Sequence, residues 1–265
     1  MRALYPIDPL DKNKADGPYH EEFIAAREAG YACSLFDFDA LAFGEFKPYP
    51  KFEEGDRILY RGWMMNAERY QTFTEKVAAS GGVPITSLAT YLRCHYLPKW
   101  YSLCAEFTAE TRFFEANETL EDAIRELGWT SYFVKDFVKS NTGDRGSIAR
   151  SPAEVCEIVE QLSAYRGEVE GGVAVRRVEE YIPQTECRYF VVHKRPYSFD
   201  GIVPDIVQSI AVRIESPFYS VDVAQRTDGA LRLIELGDGQ VSDKKMWPLP
   251  SFLEVMTKAS AITGR

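Results

Sequence analysis

Apolar positions in the first third of the chain alternate between short strand-like runs and helical periods. Ala3–Ile7, Tyr31–Phe36, Arg57–Met64 and Val83–Thr86 read as strands. Pro18–Ala29 and Ala67–Ala79 carry helical spacing and are stopped by Gly30 and by Gly81-Gly82. Strands separated by helices predict a small parallel α/β sheet over residues 1–95. Beyond it the pattern is mixed. Residues 91–126 begin helical, and Thr119–Leu127 predicts a short helix with Thr119 as N-cap and Gly128 as its stop. SYFVKDFV, 131–138, reads as a strand. Ser151–Ala164 reads as a helix opened by Ser151, Pro152 and Glu154 in a capping box. Val173–Ile182 predicts a strand broken by Pro183, and Pro250–Ile262 a terminal helix.

The most informative pattern is YSVDVAQRTDGALRLIELGDGQVSD, residues 219–243. Two β-rich runs flank Asp228-Gly229, a dipeptide suited to a two-residue reversal in which both positions have φ > 0. With that loop, Asp222 faces Glu235, Val221 faces Leu236 and Val223 faces Ile234. One face is apolar, and the other carries two carboxylates with Cβ atoms roughly 4.5–5.5 Å apart. Like charges directly opposite each other destabilise a sheet. A divalent cation turns that repulsion into coordination, and Mg²⁺ commonly takes one or two carboxylates plus phosphate oxygens. The structural alternative is a solvated pair with one carboxyl pKa raised.

Composition narrows the function classes. A length of 265 residues allows one large domain or two to three lobes, and 45% hydrophobic content supports a packed core. A net charge of −9 argues against a general nucleic-acid or anionic-membrane binder. No apolar run reaches transmembrane length and no signal-like region opens the chain, so neither membrane insertion nor export is expected. Five scattered cysteines without a CxxC pair fit a reducing, cytoplasmic setting. The three histidines lack metal-ligand spacing, and no Ser/His/Asp or Cys/His set is visible.

Further candidates lie along the chain. Arg61 sits near a strand end, where an anion contact and a plain surface arginine are both open readings. Lys99 is a candidate phosphate lysine or a solvated one. In 131–138, Lys135 shares a face with Phe133, Phe137 and Lys139. The glycine-containing loop Asn141–Gly146 follows, leading to Ser147. It has no GxxxxGK[ST] pattern, yet backbone N–H groups beside lysines can fold over phosphates. At the proline-marked crossover, backbone groups of Glu180 and Ile182 are placed to read the edges of a base, and Glu186 to accept ribose hydroxyls. An edge strand with solvated acids is the alternative.

In order, these parts are a lysine before a glycine loop, EEYI-P-x-T-E-x-R, then Asp222 and Glu235 on a hairpin. That order resembles the ATP-grasp superfamily, and within it the bacterial and phage clade named for two arginines and a lysine. The resemblance implies an α/β fold, α+β in its C-terminal part. A small parallel domain (1–95) would precede two α+β lobes that clamp ATP, 96–183 with the lid and 184–265 with the metal hairpin. It implies ATP and Mg²⁺ as cofactors. Lys99, Lys135, Lys139, Gly143, Gly146, Ser147, Glu179, Glu180, Tyr181, Ile182 and Glu186 would hold the nucleotide, and Asp222, Glu235 and Asp238 the metal. Gly237 stands where many relatives have asparagine, which brings Asp238 forward as a third ligand. Ser220 replaces a common arginine, so Arg188 or Arg213 would join Lys135 in stabilising the transferring phosphoryl group. Arg61, Gln240 and Ser242 are expected at the substrate end. The implied activity is carboxylate–amine ligation through an acylphosphate, on small-molecule or peptide substrates, with a homodimer as one open assembly. A phosphotransferase on the same scaffold, or a nucleotide-binding regulatory module without turnover, are the alternatives.

Overall fold

The computed structural model describes residues 1–117, 119–138, 146–166 and 169–260. The first elements are β1 (Arg2–Pro6), α1 (Gly17–Glu28), β2 (Ala32–Phe36), β3 (Asp56–Tyr60), α2 (Ala67–Ala79) and β4 (Gly82–Pro84). Then come α3 (Leu88–His95), α4 (Leu97–Cys104), β5 (Thr111–Phe114), α5 (Leu120–Arg125), β6 (Tyr132–Asp136), β7 (Ile148–Ala149) and α6 (Pro152–Arg166). The last are β8 (Val173–Arg177), β9 (Cys187–Val192), β10 (Arg195–Tyr197), α7 (Asp205–Ala211), β11 (Phe218–Gln225), β12 (Leu231–Asp238) and α8 (Leu249–Ser260). Two compact units result: Met1–Cys94, Arg188–Val221 and Gly237–Arg265 make one, and His95–Cys187 with Asp222–Leu236 the other.

The first unit holds the expected parallel sheet, in the order β2-β1-β3-β4. Every residue of β1 is buried: Ala3, Leu4 and Tyr5 as apolar positions of a central parallel strand, and Arg2 through its pairing with Asp56 at 2.7 Å. Asp16 caps α1 through the Gly17 N–H, and Asn66 caps α2 through the Arg69 N–H. Strand β3 ends at Tyr60, short of the expected Met64, because Arg61 is drawn into a buried network and the Gly62 N–H turns to the Gln240 carbonyl at 3.3 Å. A second core in this unit gathers Phe190, Phe218, Trp247 and Phe252, with Phe190 5.0–5.6 Å from the other three ring centroids.

The second unit is built on the antiparallel sheet β5-β8-β6-β7. Helices α5 and α6 cover it, packing Ile124, Val155, Ile158 and Leu162 against Val134, Val173 and Val175. Ser151 accepts the Glu154 N–H at 3.2 Å, and the Glu154 carboxylate reaches back to the Arg150 N–H at 3.0 Å, one residue beyond the expected capping box. Thr119 caps nothing; its hydroxyl bonds the Asn117 side chain instead. Strand β8 stops at Arg177, five residues before the expected Ile182, because the following backbone bonds elsewhere. The Glu180 carbonyl accepts from the Thr227 N–H at 2.9 Å, and the Ile182 N–H donates to the Gln225 carbonyl at 2.8 Å.

The β11–β12 hairpin departs from its expected register twice. Its loop is three residues, Thr227-Asp228-Gly229, not two. The Gly229 N–H bonds the Arg226 carbonyl at 2.8 Å, the Arg226 N–H bonds the Ala230 carbonyl at 2.8 Å, and only Gly229 of the loop has positive φ, at 90°. That offset alone would put Asp222 opposite Ile234 and turn Glu235 to the other face. At the far end, however, the Gly239 N–H bonds the Phe218 carbonyl at 3.1 Å. From one bonded pair to the other, β11 takes eight steps (226 − 218) and β12 nine (239 − 230). Strand β12 therefore carries one extra residue, a β-bulge.

Candidate functional site

A cavity of about 520 Å³ opens in the second unit. Asp222, Ala224, Ile234 and Glu235 line it from the hairpin, Phe133 and Ile148 from β6 and β7, and Arg176 from β8. The segment after β8 closes it with Val178, Glu179, Tyr181, Ile182 and Glu186. Ile234 and Glu235 are neighbours in sequence yet line one cavity. An unbroken strand would send them to opposite faces, whereas a bulge brings both beside the single residue they oppose. The bulge thus restores Asp222 and Glu235 to one wall.

Lys135 reaches the same place from β6. Its Nζ lies 2.6 Å from Glu235 Oε1, with the lysine side chain 7% exposed and the glutamate 42%. The register of β6 against β8, with Phe133 opposite Arg176, puts Lys135, Phe133 and Arg176 on one face. Lys135, Asp222, Glu235, Glu179, Tyr181, Ile182 and Glu186, all anticipated from sequence, are thereby gathered around one cavity.

The backbone roles shift within that group. The Glu180 carbonyl and Ile182 N–H expected at a base are spent on the hairpin, through Thr227 and Gln225. Strand alternation turns the N–H and carbonyl of Tyr181, bridged to Arg226, to the opposite edge. The Glu179 carboxylate is also engaged. It accepts from Tyr181 Oη at 2.7 Å, Arg226 Nη1 at 3.1 Å and Arg232 Nε at 3.1 Å. Burial pushes its pKa up, but the bonds from Arg232 and Tyr181 and the two guanidinium charges outweigh it, and the net shift is downward. Glu179 therefore ties this segment to the hairpin.

Other expectations fall elsewhere. Lys99 is exposed on α4 and does not line the cavity. Lys139 and Gly143 lie outside the described residues. Gly146 has φ 67°, and the carbonyl of buried Ser147 accepts from the Val134 N–H at 2.7 Å, so this end of the glycine loop joins the sheet edge. Arg188 and Arg213 belong to the first unit. Arg188 bonds the Asp243 carbonyl at 3.0 Å and also its carboxylate, and Arg213 is exposed.

The residues expected at the substrate end are structural. Arg61 is 1% exposed, and each of its three guanidinium nitrogens is hydrogen-bonded. Nε and Nη2 grip both Glu22 oxygens at 2.8 and 2.9 Å. Nη1 meets the carbonyls of Gly239, Gln240 and Ser242 at 2.6, 3.1 and 2.9 Å. Gln240 accepts the Tyr60 N–H and donates to Tyr70 Oη and Asp238 Oδ1. The Ser242 hydroxyl bonds the Asp238 carbonyl and Ser220 Oγ. All three staple the chain after β12 to the first unit. Asp238 is wholly buried, and among the described residues no three His, Cys, Asp or Glu side chains gather to hold an ion. Asp238 therefore completes no three-acid set.

Sequence reading missed Arg176 and Thr108. Arg176 is 7% exposed; Nη1 donates to the Ile234 carbonyl at 2.7 Å and Nη2 to Thr108 Oγ1. Thr108 in turn donates to the Leu233 carbonyl at 2.7 Å. Burial lowers the Arg176 pKa, opposed by Tyr181 and Glu235 nearby. The available signal was an arginine at an inward position of the apolar run VAVRR.

This architecture is the ATP-grasp fold. D-cycloserine synthetase DcsG superimposes with a TM-score of 0.66 at 12% identity, covering 98% of this chain and 99% of that one. D-alanyl-alanine synthetase A from Vibrio cholerae gives 0.62 at 10% identity, covering 96% and 93%. ATP-grasp ligase PsnB, solved with a phosphomimetic variant of its minimal precursor, Mg and ADP, gives 0.60 at 10% identity, covering 98% and 97%. Residues 126–256 match the family ATP-grasp domain, R2K clade family 3, and that stretch of the chain is an ATP-grasp domain. No curated protein matches the sequence. No helix among the described residues is long and apolar enough to cross a membrane.

Proposed function

We propose that this protein is an ATP-dependent carboxylate–amine ligase that forms an amide or peptide bond. The observation that carries the reading is the convergence of Lys135, Asp222 and Glu235 beside one cavity that the 178–186 segment also lines. Two carboxylates on one wall suit a hard divalent cation, and a buried lysine beside them suits a polyanion, so this donor set fits Mg²⁺ with a nucleotide. When bound, Mg²⁺ would neutralise phosphate charge and draw β- and γ-phosphates into line.

The chain's own residues do the rest. Asp222 and Glu235 would hold the cation, and Lys135 would exchange its carboxylate partner for phosphate oxygens. The apolar surfaces of Phe133, Ile148 and Ile182 would enclose the base. The outward Tyr181 N–H and Glu179 carbonyl, rather than Glu180 and Ile182, would read its edge, and Glu186 would accept ribose hydroxyls. Alignment and charge neutralisation supply the rate enhancement, so no side-chain nucleophile is needed. A substrate carboxylate attacks the γ-phosphorus, giving an acylphosphate and ADP. An amine then displaces phosphate. Ligases of small amino-acid-like molecules and of precursor peptides share this fold, which makes both substrate classes worth presenting.

The test is ADP release from ATP with pooled amino acids and peptides, followed by mass spectrometry of the products. ADP together with a condensation product is the expected outcome, lost by orders of magnitude in Asp222→Asn. Nucleotide binding without ADP release in any mixture would favour a regulatory module. ADP with a stable phosphorylated product and no amine requirement would favour a phosphotransferase.

A further inference from the structure

The acids share a wall only because β12 is bulged, and a bulge leaves backbone groups that the partner strand no longer bonds. In an unbroken strand successive carbonyls point to opposite edges. Here the successive carbonyls of Leu233 and Ile234 are met by one linked pair of side chains. Thr108 Oγ1 donates to the Leu233 carbonyl at 2.7 Å, Arg176 Nη1 donates to the Ile234 carbonyl at 2.7 Å, and Arg176 Nη2 donates to Thr108 Oγ1. Thr108 also forms a parallel bridge with Leu233, and both clamp side chains are more than nine-tenths buried. The residue that follows these two carbonyls is Glu235.

We propose that Thr108 and Arg176 are positioning residues: by holding the Leu233 and Ile234 carbonyls they keep β12 bulged and the Glu235 carboxylate on the wall occupied by Asp222. This rests on the proposed reading that Asp222 and Glu235 hold the nucleotide-bound cation. Without the clamp, the register set by the three-residue loop extends along β12, and Glu235 moves to the opposite face. Thr108 lies outside the cavity lining, whereas Arg176 also forms part of its wall. The clamp acts on the geometry of one ligand, and groups that orient a ligand typically govern metal affinity by about 10–100-fold when removed.

The test uses the full chain and its Thr108→Val, Arg176→Gln, Arg176→Lys and Asp222→Asn variants. Mn²⁺ binding is followed by electron paramagnetic resonance in the presence of ADP, and ADP binding without metal by calorimetry. Thr108→Val is expected to weaken Mn²⁺ binding by about 10-fold or more with metal-free ADP affinity unchanged, and Arg176→Gln, which also alters the cavity wall, to weaken Mn²⁺ binding by at least as much. Arg176→Lys, which keeps one donor for the Ile234 carbonyl, should recover part of it. In Thr108→Val a general packing defect would lower metal-free ADP affinity in parallel, and that result would overturn the proposal. Wild-type Mn²⁺ affinity in the clamp variants, with binding lost in Asp222→Asn, would overturn the clamp and leave the metal reading standing. Wild-type affinity in Asp222→Asn would remove the metal reading and the clamp with it. Thr108→Val is close to isosteric, so it carries the test if Arg176→Gln does not fold.

Discussion

Glu235 and Asp222 are alike in sequence but not in what their removal leaves behind. Glu235 is the ion-pair partner of Lys135, whose side chain is 7% exposed. Glu235→Gln strands that charge, at a cost of about 1–3 kcal/mol, whereas Asp222→Asn leaves the Lys135–Glu235 pair intact and keeps an acceptor oxygen at position 222. Urea denaturation of the ligand-free protein should therefore show Glu235→Gln destabilised and Asp222→Asn near wild type; equal losses would argue against the pair. Asp238 is the other residue with an unusual charge state. Its Oδ1 accepts from the Gln240 N–H and side chain, its Oδ2 has no partner, and burial pushes its pKa up to about 7. Unfolded, it would ionise near 3.9. Between those values the folded chain holds a proton that the unfolded chain has lost, so stability falls as pH rises and levels off above about 7. Asp238→Asn keeps the Oδ1 acceptor and should flatten that slope in denaturation midpoints taken from about pH 5 to 8.

At the scale of elements, the hairpin shows how a correct expectation can rest on an incorrect register. Asp228-Gly229 does mark the reversal, but Asp228 bonds Arg226 through its side chain and the Ala230 N–H at 3.1 Å, which suits a three-residue loop with only Gly229 at positive φ. The loop shifts the pairing by one residue and the bulge shifts it back. Gly229→Ala should cost about 1–2 kcal/mol by forcing a Cβ into that conformation, measurable by urea denaturation; no loss would mean the loop adopts another turn. The helices were more legible. Caps at Asn66 and Ser151 are local chemistry, readable from a few residues, and α2 spans the expected Ala67–Ala79. Strand ends were less so, because β3 and β8 stop where distant carbonyls and amides claim their backbone.

For the whole molecule, function depends on ligands binding the folded state alone. Mg²⁺ with ADP at 100 times the dissociation constant should stabilise the protein by about 2.7 kcal/mol, seen as a rise in melting temperature. The increment due to Mg²⁺ should vanish in Asp222→Asn; a retained increment would place the cation elsewhere. The match of residues 126–256 to an ATP-grasp family and the superposition of nearly the whole chain on ligases of 10–12% identity show that the fold persists where side chains do not.

The sequence by itself determined the parallel sheet of the first 95 residues, the order of lysine, proline-marked crossover and paired acids, and the Ser151 cap of α6. Each of these is written in periods and spacings of a few residues. Only the tertiary structure decided that Arg61, Gln240 and Ser242 are staples, because their partners, such as Glu22 and Tyr70, come from remote parts of the chain. It likewise decided that Arg176 lines the cavity with the acids. Register, bulges and the burial of a charge depend on which distant backbone groups need a partner, and no local pattern records that need.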